Sequence, residues 1–104
     1  MARFDVYPTA LADERKHTPF WLDVQADHLD ALGTRVIVPL RRVGRDRLLK
    51  QRLNPSFWVE GIEVFADVAN IATFPTAQLR RPVASLRHER LFIDDAIDFL
   101  FTGC

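Results

Sequence analysis

The chain has 104 residues and a mass of 12.0 kDa, enough for one domain over residues 1–104 and too little for separate catalytic and regulatory units. Fourteen Lys and Arg balance fourteen Asp and Glu, which excludes the strongly basic character of a dedicated nucleic-acid binder. A single cysteine excludes an internal disulfide framework and a cysteine-based zinc site.

Arg3-Phe4-Asp5-Val6-Tyr7 alternates with period two and stops at Pro8, the pattern of a short half-buried strand. Thr9 to Thr18 is polar and reads as a loop. Phe20 to Gln25 alternates again, with Phe20, Leu22 and Val24 on one face. Asp27 to Gly33 is a connection. Arg35-Val36-Ile37-Val38-Pro39-Leu40 is a β-branched strand that Pro39 should confine to an edge or a strand end. From Arg41 to Asn54 runs a basic cluster. Leu48, Leu49 and Leu53 would give it one or two helical turns, weakened by Gly44 and ended by Pro55. Phe57 to Phe65 reads as a hairpin around Glu60-Gly61, and Ile71 to Pro75 as another extended piece. Ser85 is the expected N-cap of a final helix from Leu86 to Phe101. On that helix Leu86, Ile93, Ala96, Ile97 and Leu100 fall on one stripe, and Gly103 stands where a terminating glycine belongs. Five or more short strands followed by one helix make an α+β, mostly β, antiparallel sheet or small barrel.

The apolar end of that helix, Phe99-Leu100-Phe101, needs a cover: the domain itself, a second subunit or a target protein. The large apolar fraction, 48%, in so small a domain favours a dimer. The N-terminal segment lacks the apolar stretch of a signal peptide, and no run approaches the ~20 apolar residues that cross a bilayer, so a cytoplasmic protein is expected.

Catalysis needs a nucleophile or base, an orienting partner and charge stabilisation. His17 lies in a polar loop, His28 beside Asp27 and Asp30, and His88 before Glu89 without a second His at metalloprotease spacing. No phosphate loop, dinucleotide fingerprint or nucleophile elbow is present. The basic residues Arg41, Arg42, Arg45, Arg47, Lys50 and Arg52 suit an acidic protein partner, a nucleic-acid backbone or plain solvent. Trp21, Phe57, Trp58, Phe65 and Phe74 read as core or interface residues. No catalytic residue, metal or cofactor is expected.

In order and spacing, Phe4-Asp5-Val6-Tyr7, Leu22-Asp23-Val24-Gln25-Ala26-Asp27, Val36-Ile37-Val38-Pro39-Leu40, Ala72-Thr73-Phe74-Pro75, Val83-Ala84-Ser85-Leu86 and Ala96 to Phe101 with Gly103 resemble the CcdB toxin family of bacterial toxin–antitoxin systems. The resemblance covers essentially the whole chain. It implies a small SH3-like barrel with an added sheet and a C-terminal helix, shared with MazF-type toxins. It also implies a homodimer that binds the A subunit of DNA gyrase and traps the enzyme on cleaved DNA. A cognate CcdA-like antitoxin would neutralise the toxin and, bound to it, repress the operon, so that DNA is met only through that complex. The toxin would be an enzyme inhibitor and not an enzyme.

Carried onto this chain, the resemblance implies gyrase-binding residues His28, Leu29, Asp98, Phe101, Thr102, Gly103 and Cys104. The antitoxin side falls to Arg41, Arg42, Arg45 and Arg47. Family members that poison gyrase end in Trp-Gly-Ile, whereas this chain has Thr102-Gly103-Cys104. Thr102 cannot reproduce a tryptophan stacked on a gyrase arginine, a contact worth about 0.5–2 kcal/mol. Asp98 stands for an Asn, and His28 for an apolar residue. Two other functions fit the same frame. One is a MazF-like endoribonuclease, for which His17, Asp46 and Glu60 are the available proton-transfer groups. The other is a toxin-derived module that binds antitoxin without poisoning gyrase.

Overall fold

The computed structural model describes residues 1–44 and 52–103. Among the described residues, seven antiparallel strands and one α-helix follow the order β1 (Asp5–Pro8), β2 (Phe20–Asp23), β3 (Thr34–Arg42), β4 (Ser56–Val59), β5 (Ile62–Ala66), β6 (Ala72–Pro75), β7 (Ala84–Ser85) and α1 (Arg90–Thr102). In space the sheet runs β4-β5-β3-β2-β1-β7 and curls into a nearly closed barrel, with β6 also on β3. The long strand β3 serves two partners on one side: its first half pairs with β6 and its last three residues with β5, while β2 lies along the other side.

This division explains how Pro39 lies inside a central strand, contrary to the expectation of an edge or an end. The carbonyl of Pro39 accepts the Asp67 amide at 2.9 Å, on the side of β5 and β6. A strand residue points its N–H and C=O the same way, so the missing donor of Pro39 faces the break between β6 and β5. No ladder bond is lost there.

β1 and β2 are both buried on two faces, Val6 and Tyr7 alike, so the half-buried strand expected at Arg3–Tyr7 is corrected. Phe20, Leu22 and Val24 join Val6, Val38, Leu40, Val64, Ile93 and Ala96 in the main core. The opposite face, with Tyr7, Trp21 and Ile37, is covered by Leu79 and Phe74. The Phe74 ring stacks on Trp21 at 4.1 Å between centroids. The hairpin forms as expected: Glu60 (φ 51°) and Gly61 (φ 77°) both take left-handed conformations, the requirement of a two-residue turn that matches strand twist.

The helix begins later than its sequence suggests. Arg87–Glu89 form a 3-10 turn, and α1 starts at Arg90. Ser85 belongs to β7 and accepts the Arg87 amide through its hydroxyl at 3.2 Å, so it closes the lead-in turn and does not cap α1. Ile93 and Ala96 are fully buried on the barrel, with Ile97 and Leu100 half-buried beside them. At the other end Gly103 (φ 71°) donates to the Phe99 carbonyl at 3.0 Å, the left-handed stop anticipated for it. The helical turns expected around Leu48 and Leu49 lie outside the described residues. Arg41 and Arg42, expected to open that segment, are the last residues of β3.

Candidate partner-binding site

The residues proposed from sequence for gyrase fall on α1 and on the turn before β3. Asp98, Phe101 and Thr102 follow one another at helical i, i+3 and i+4 spacing and so share a face, which continues back through Asp94 and Leu91. Leu91 and Phe101 are 75% and 70% exposed, an apolar display on a helix whose opposite side is already buried in the core. Thr102 is exposed, and its hydroxyl donates back to the Asp98 carbonyl at 2.7 Å. Cys104 lies outside the described residues.

His28 and Leu29 lie in the 3-10 segment Asp27–Leu32, both exposed, with Leu29 at the kink between its two turns. Arg3 ties this turn to the helix: its amide donates to Asp27 Oδ1 at 2.6 Å, and its Nη2 donates to Asp94 Oδ1 at 2.7 Å. Turn and helix therefore meet on one side of the molecule, on the helical face that leads to Phe101.

A second device holds the same turn, and the sequence reading missed it. Arg35, read there only as the first residue of a β-branched strand, is completely buried. Its Nε and Nη2 donate to the two carboxylate oxygens of Asp23 at 2.7 and 3.0 Å, and its Nη1 donates to Asp30 within the turn. Gln25 completes the network, its side-chain amide donating to the Leu29 carbonyl at 3.0 Å and its Oε1 accepting the Val36 amide. Burial pushes the Asp23 carboxyl up, while the bonds from Arg35 and the Gln25 amide pull it back. Alternation held the signal: Asp5, Tyr7, Trp21, Asp23, Arg35 and Ile37 share one sheet face, and Asp23 pairs in register with Ile37, one step diagonal from Arg35. Tyr7 on that face is 1% exposed. Burial first, and then the Asp5 and Asp23 carboxylates, push its hydroxyl up to about 12.

The basic residues are divided. Arg41 is half-buried, donating to Asp67 Oδ2 at 2.7 Å and to Thr18 Oγ1 at 2.6 Å. Arg42 is exposed, its Nε donating to the Lys16 carbonyl at 2.9 Å. Arg45 and Arg47, with Asp46 and Lys50, lie outside the described residues. Through that bond to Lys16 the loop after β1 reaches Arg42, and the same loop walls a groove of about 330 Å³ with Ala10, Leu11, Arg15, Ala77, Gln78 and Arg80. Arg52 pairs with Asp95 at 3.0 Å and lies 4.5 Å above the Phe99 ring.

Of the groups weighed for acid–base chemistry, His17 is exposed in the first loop, Glu60 lies in the hairpin turn and His88 is exposed before α1. Among the described residues, no group of three His, Cys, Asp or Glu is placed to hold a metal ion. No described helix is long and apolar enough to cross a membrane.

A family model described as CcdB protein matches residues 3–103, from the first bridging arginine to the glycine that ends α1. The chain belongs to the CcdB family. Among solved structures it is similar to an endoribonuclease in complex with its cognate antitoxin from mycobacterial species. That likeness has 16% identity and a TM-score of 0.75, over 97% of this chain and 94% of that one. At such identity it establishes the fold: a small SH3-like, CcdB/MazF-like barrel with one C-terminal helix. No curated protein sequence matches the chain.

Proposed function

We propose that this CcdB-family protein is the toxin of a type II toxin–antitoxin pair, acts in the bacterial cytoplasm as a homodimer, and inhibits DNA gyrase by binding its A subunit. The observation that carries the reading is a family match extending through the helix end, where Phe101 is 70% exposed on a helix otherwise anchored in the core. Leu91 on the same helical face supports a twofold partner along the helix. His28 and Leu29, fastened to that side through Arg3, Arg35 and Gln25, support a rigid target-binding surface. Rigidity matters because a surface ordered before binding loses less entropy when it docks. The protein would poison an enzyme and catalyse nothing itself.

An acidic, disordered antitoxin tail fits the basic strip of Arg42, Lys16, Arg15 and Arg80 around the first loop and its groove. Arg41, next to Arg42 in β3, is held by Asp67 and Thr18, so its charge is offset and the strip rests on the other four residues.

Expression in bacteria tests the reading. DNA breaks that a gyrase A mutation relieves are the expected result, and normal growth without breaks refutes it. Thr102 has no ring to stack and folds its hydroxyl back on the helix, so binding to gyrase should rest chiefly on Phe101.

A further inference from the structure

The strand at one end of the sheet, β4, carries an open edge that none of the surfaces above uses. In the hairpin, Val59 and Phe57 face β5, and the Pro55 carbonyl accepts the Ala66 amide at 2.9 Å. Strand alternation turns the amides and carbonyls of Ser56 and Trp58 the other way, where none has a partner among the described residues. Such edges are usually blunted by lysine, proline or a bulge. Here Pro55 guards only the start, and Trp58 stands 68% exposed. Directly across from it is Glu63, with Glu60 in the turn beyond, and neither carboxylate has a hydrogen bond or ion pair among the described residues. Beside the start of this strand is a cavity of about 360 Å³, lined by Pro55, Ser56, Phe57, Glu89 and Phe92, the last 65% exposed.

These features are complementary to one kind of occupant. Free main-chain groups accept an extended strand, whose side chains then alternate between two faces. One face would meet the Trp58 ring with Glu63 directly across from it and Glu60 in the adjoining turn, a setting that attracts cations. The other would meet the apolar cavity at Phe57 and Phe92. Arg41, on the same outer sheet face, is neutralised by Asp67, so it does not repel a basic chain. We propose that the open edge of β4 docks an extended, basic segment of a partner protein, adding it to the sheet with a cation over Trp58 and an apolar side chain in the cavity. The acidic edge repels the acidic chain suited to the first loop, so the two surfaces serve different partners.

The test titrates the full protein with a short synthetic peptide alternating arginine and valine, and with its glutamate–valine counterpart. Calorimetry and tryptophan fluorescence both report. Trp21 is 1% exposed and stacked on Phe74, so a fluorescence change reads Trp58. Saturable binding of the arginine peptide alone is expected. Trp58→Ala should weaken it about tenfold by calorimetry, and Glu63→Gln should weaken it and flatten its salt dependence. Ser56→Pro removes a donor from the open edge and leaves the β5 ladder intact, so it should abolish binding while the circular dichroism spectrum stays native. If Ser56→Pro does not fold, the Trp58→Ala and Glu63→Gln titrations decide the matter. Equal binding by native, Trp58→Ala and Glu63→Gln proteins overturns the proposal. So does binding that survives Ser56→Pro, which would be charge attraction without strand addition. Self-association through this edge, seen as a sedimentation change that Ser56→Pro abolishes in the absence of peptide, also overturns it in favour of a second copy.

Discussion

Replacing Arg35 with methionine should be among the most damaging single substitutions in this protein. The guanidinium is fully buried and gives two bonds to Asp23 and one to Asp30. Methionine fills part of the space but strands the Asp23 carboxylate in the sheet interior, with the Gln25 amide at 3.0 Å as its remaining donor. Breaking a buried pair from one side costs about 3–5 kcal/mol, a large share of the roughly 5–15 kcal/mol that stabilises a domain. The reverse change, Asp23→Asn, should cost less, because Arg35 keeps Asp30, whose side chain is 58% exposed and hydrated. Removing both charges in an Arg35→Met, Asp23→Asn double variant leaves no stranded ion in the interior, and should recover at least about 2 kcal/mol relative to the sum of the singles. Urea unfolding followed by Trp21 fluorescence, at one fixed protein concentration, measures all four proteins. A loss below about 1 kcal/mol for Arg35→Met, or strict additivity in the double variant, would refute the reasoning. Hydrogen exchange provides a second readout: Arg35→Met should also speed exchange in the segment Asp27–Leu32, which loses its strut.

Tyr7 is the one tyrosine of the chain, so tyrosinate absorbance in the near ultraviolet titrates it alone. Its ionisation should move from 10.0 up to about 12 in the folded protein. The neutral form is the one favoured by folding. Its stabilisation is therefore complete below pH 10 and is lost as pH rises towards 12, amounting to roughly 2–3 kcal/mol at the upper end. A midpoint at 10 would show that the hydroxyl is hydrated. Phe101→Ala should weaken capture by the gyrase A dimerisation domain by roughly 30–1000-fold, and Thr102→Trp should strengthen it, both read in a pull-down. Tight binding by the native protein that neither change alters would refute the assignment of this surface. Gly103→Ala, forced to keep φ at 71°, should lower stability by about 1 kcal/mol through strain alone, since nothing lies within 4 Å of the added methyl. Thermal unfolding checks it, and an unchanged midpoint would mean that the helix end frays without cost.

The linear sequence determined what depends on neighbours along the chain. Glu60-Gly61 dictates its hairpin, and Gly103 stops the helix, because left-handed backbone is a local property. The stripe of Ile93, Ala96, Ile97 and Leu100 identifies the buried side of α1 because helical period fixes which side chains share a face. Order and spacing of the segments from Phe4 to Gly103 carried the family. Tertiary structure decided whatever depends on which strands become neighbours. Pro39 is tolerated in a central strand because β6 and β5 divide its flank, and nothing near Pro39 in sequence encodes that break. β2 is buried on both faces because Leu79 and Phe74, more than fifty residues later, cover its second side. Arg35 stood in the sequence only as the start of a strand until β2 brought Asp23 to it, and an arginine's role is set by whether its counter-charge shares its burial. Segment order along the chain supplied the family, and the fold supplied the struts that hold the turn beside the helix.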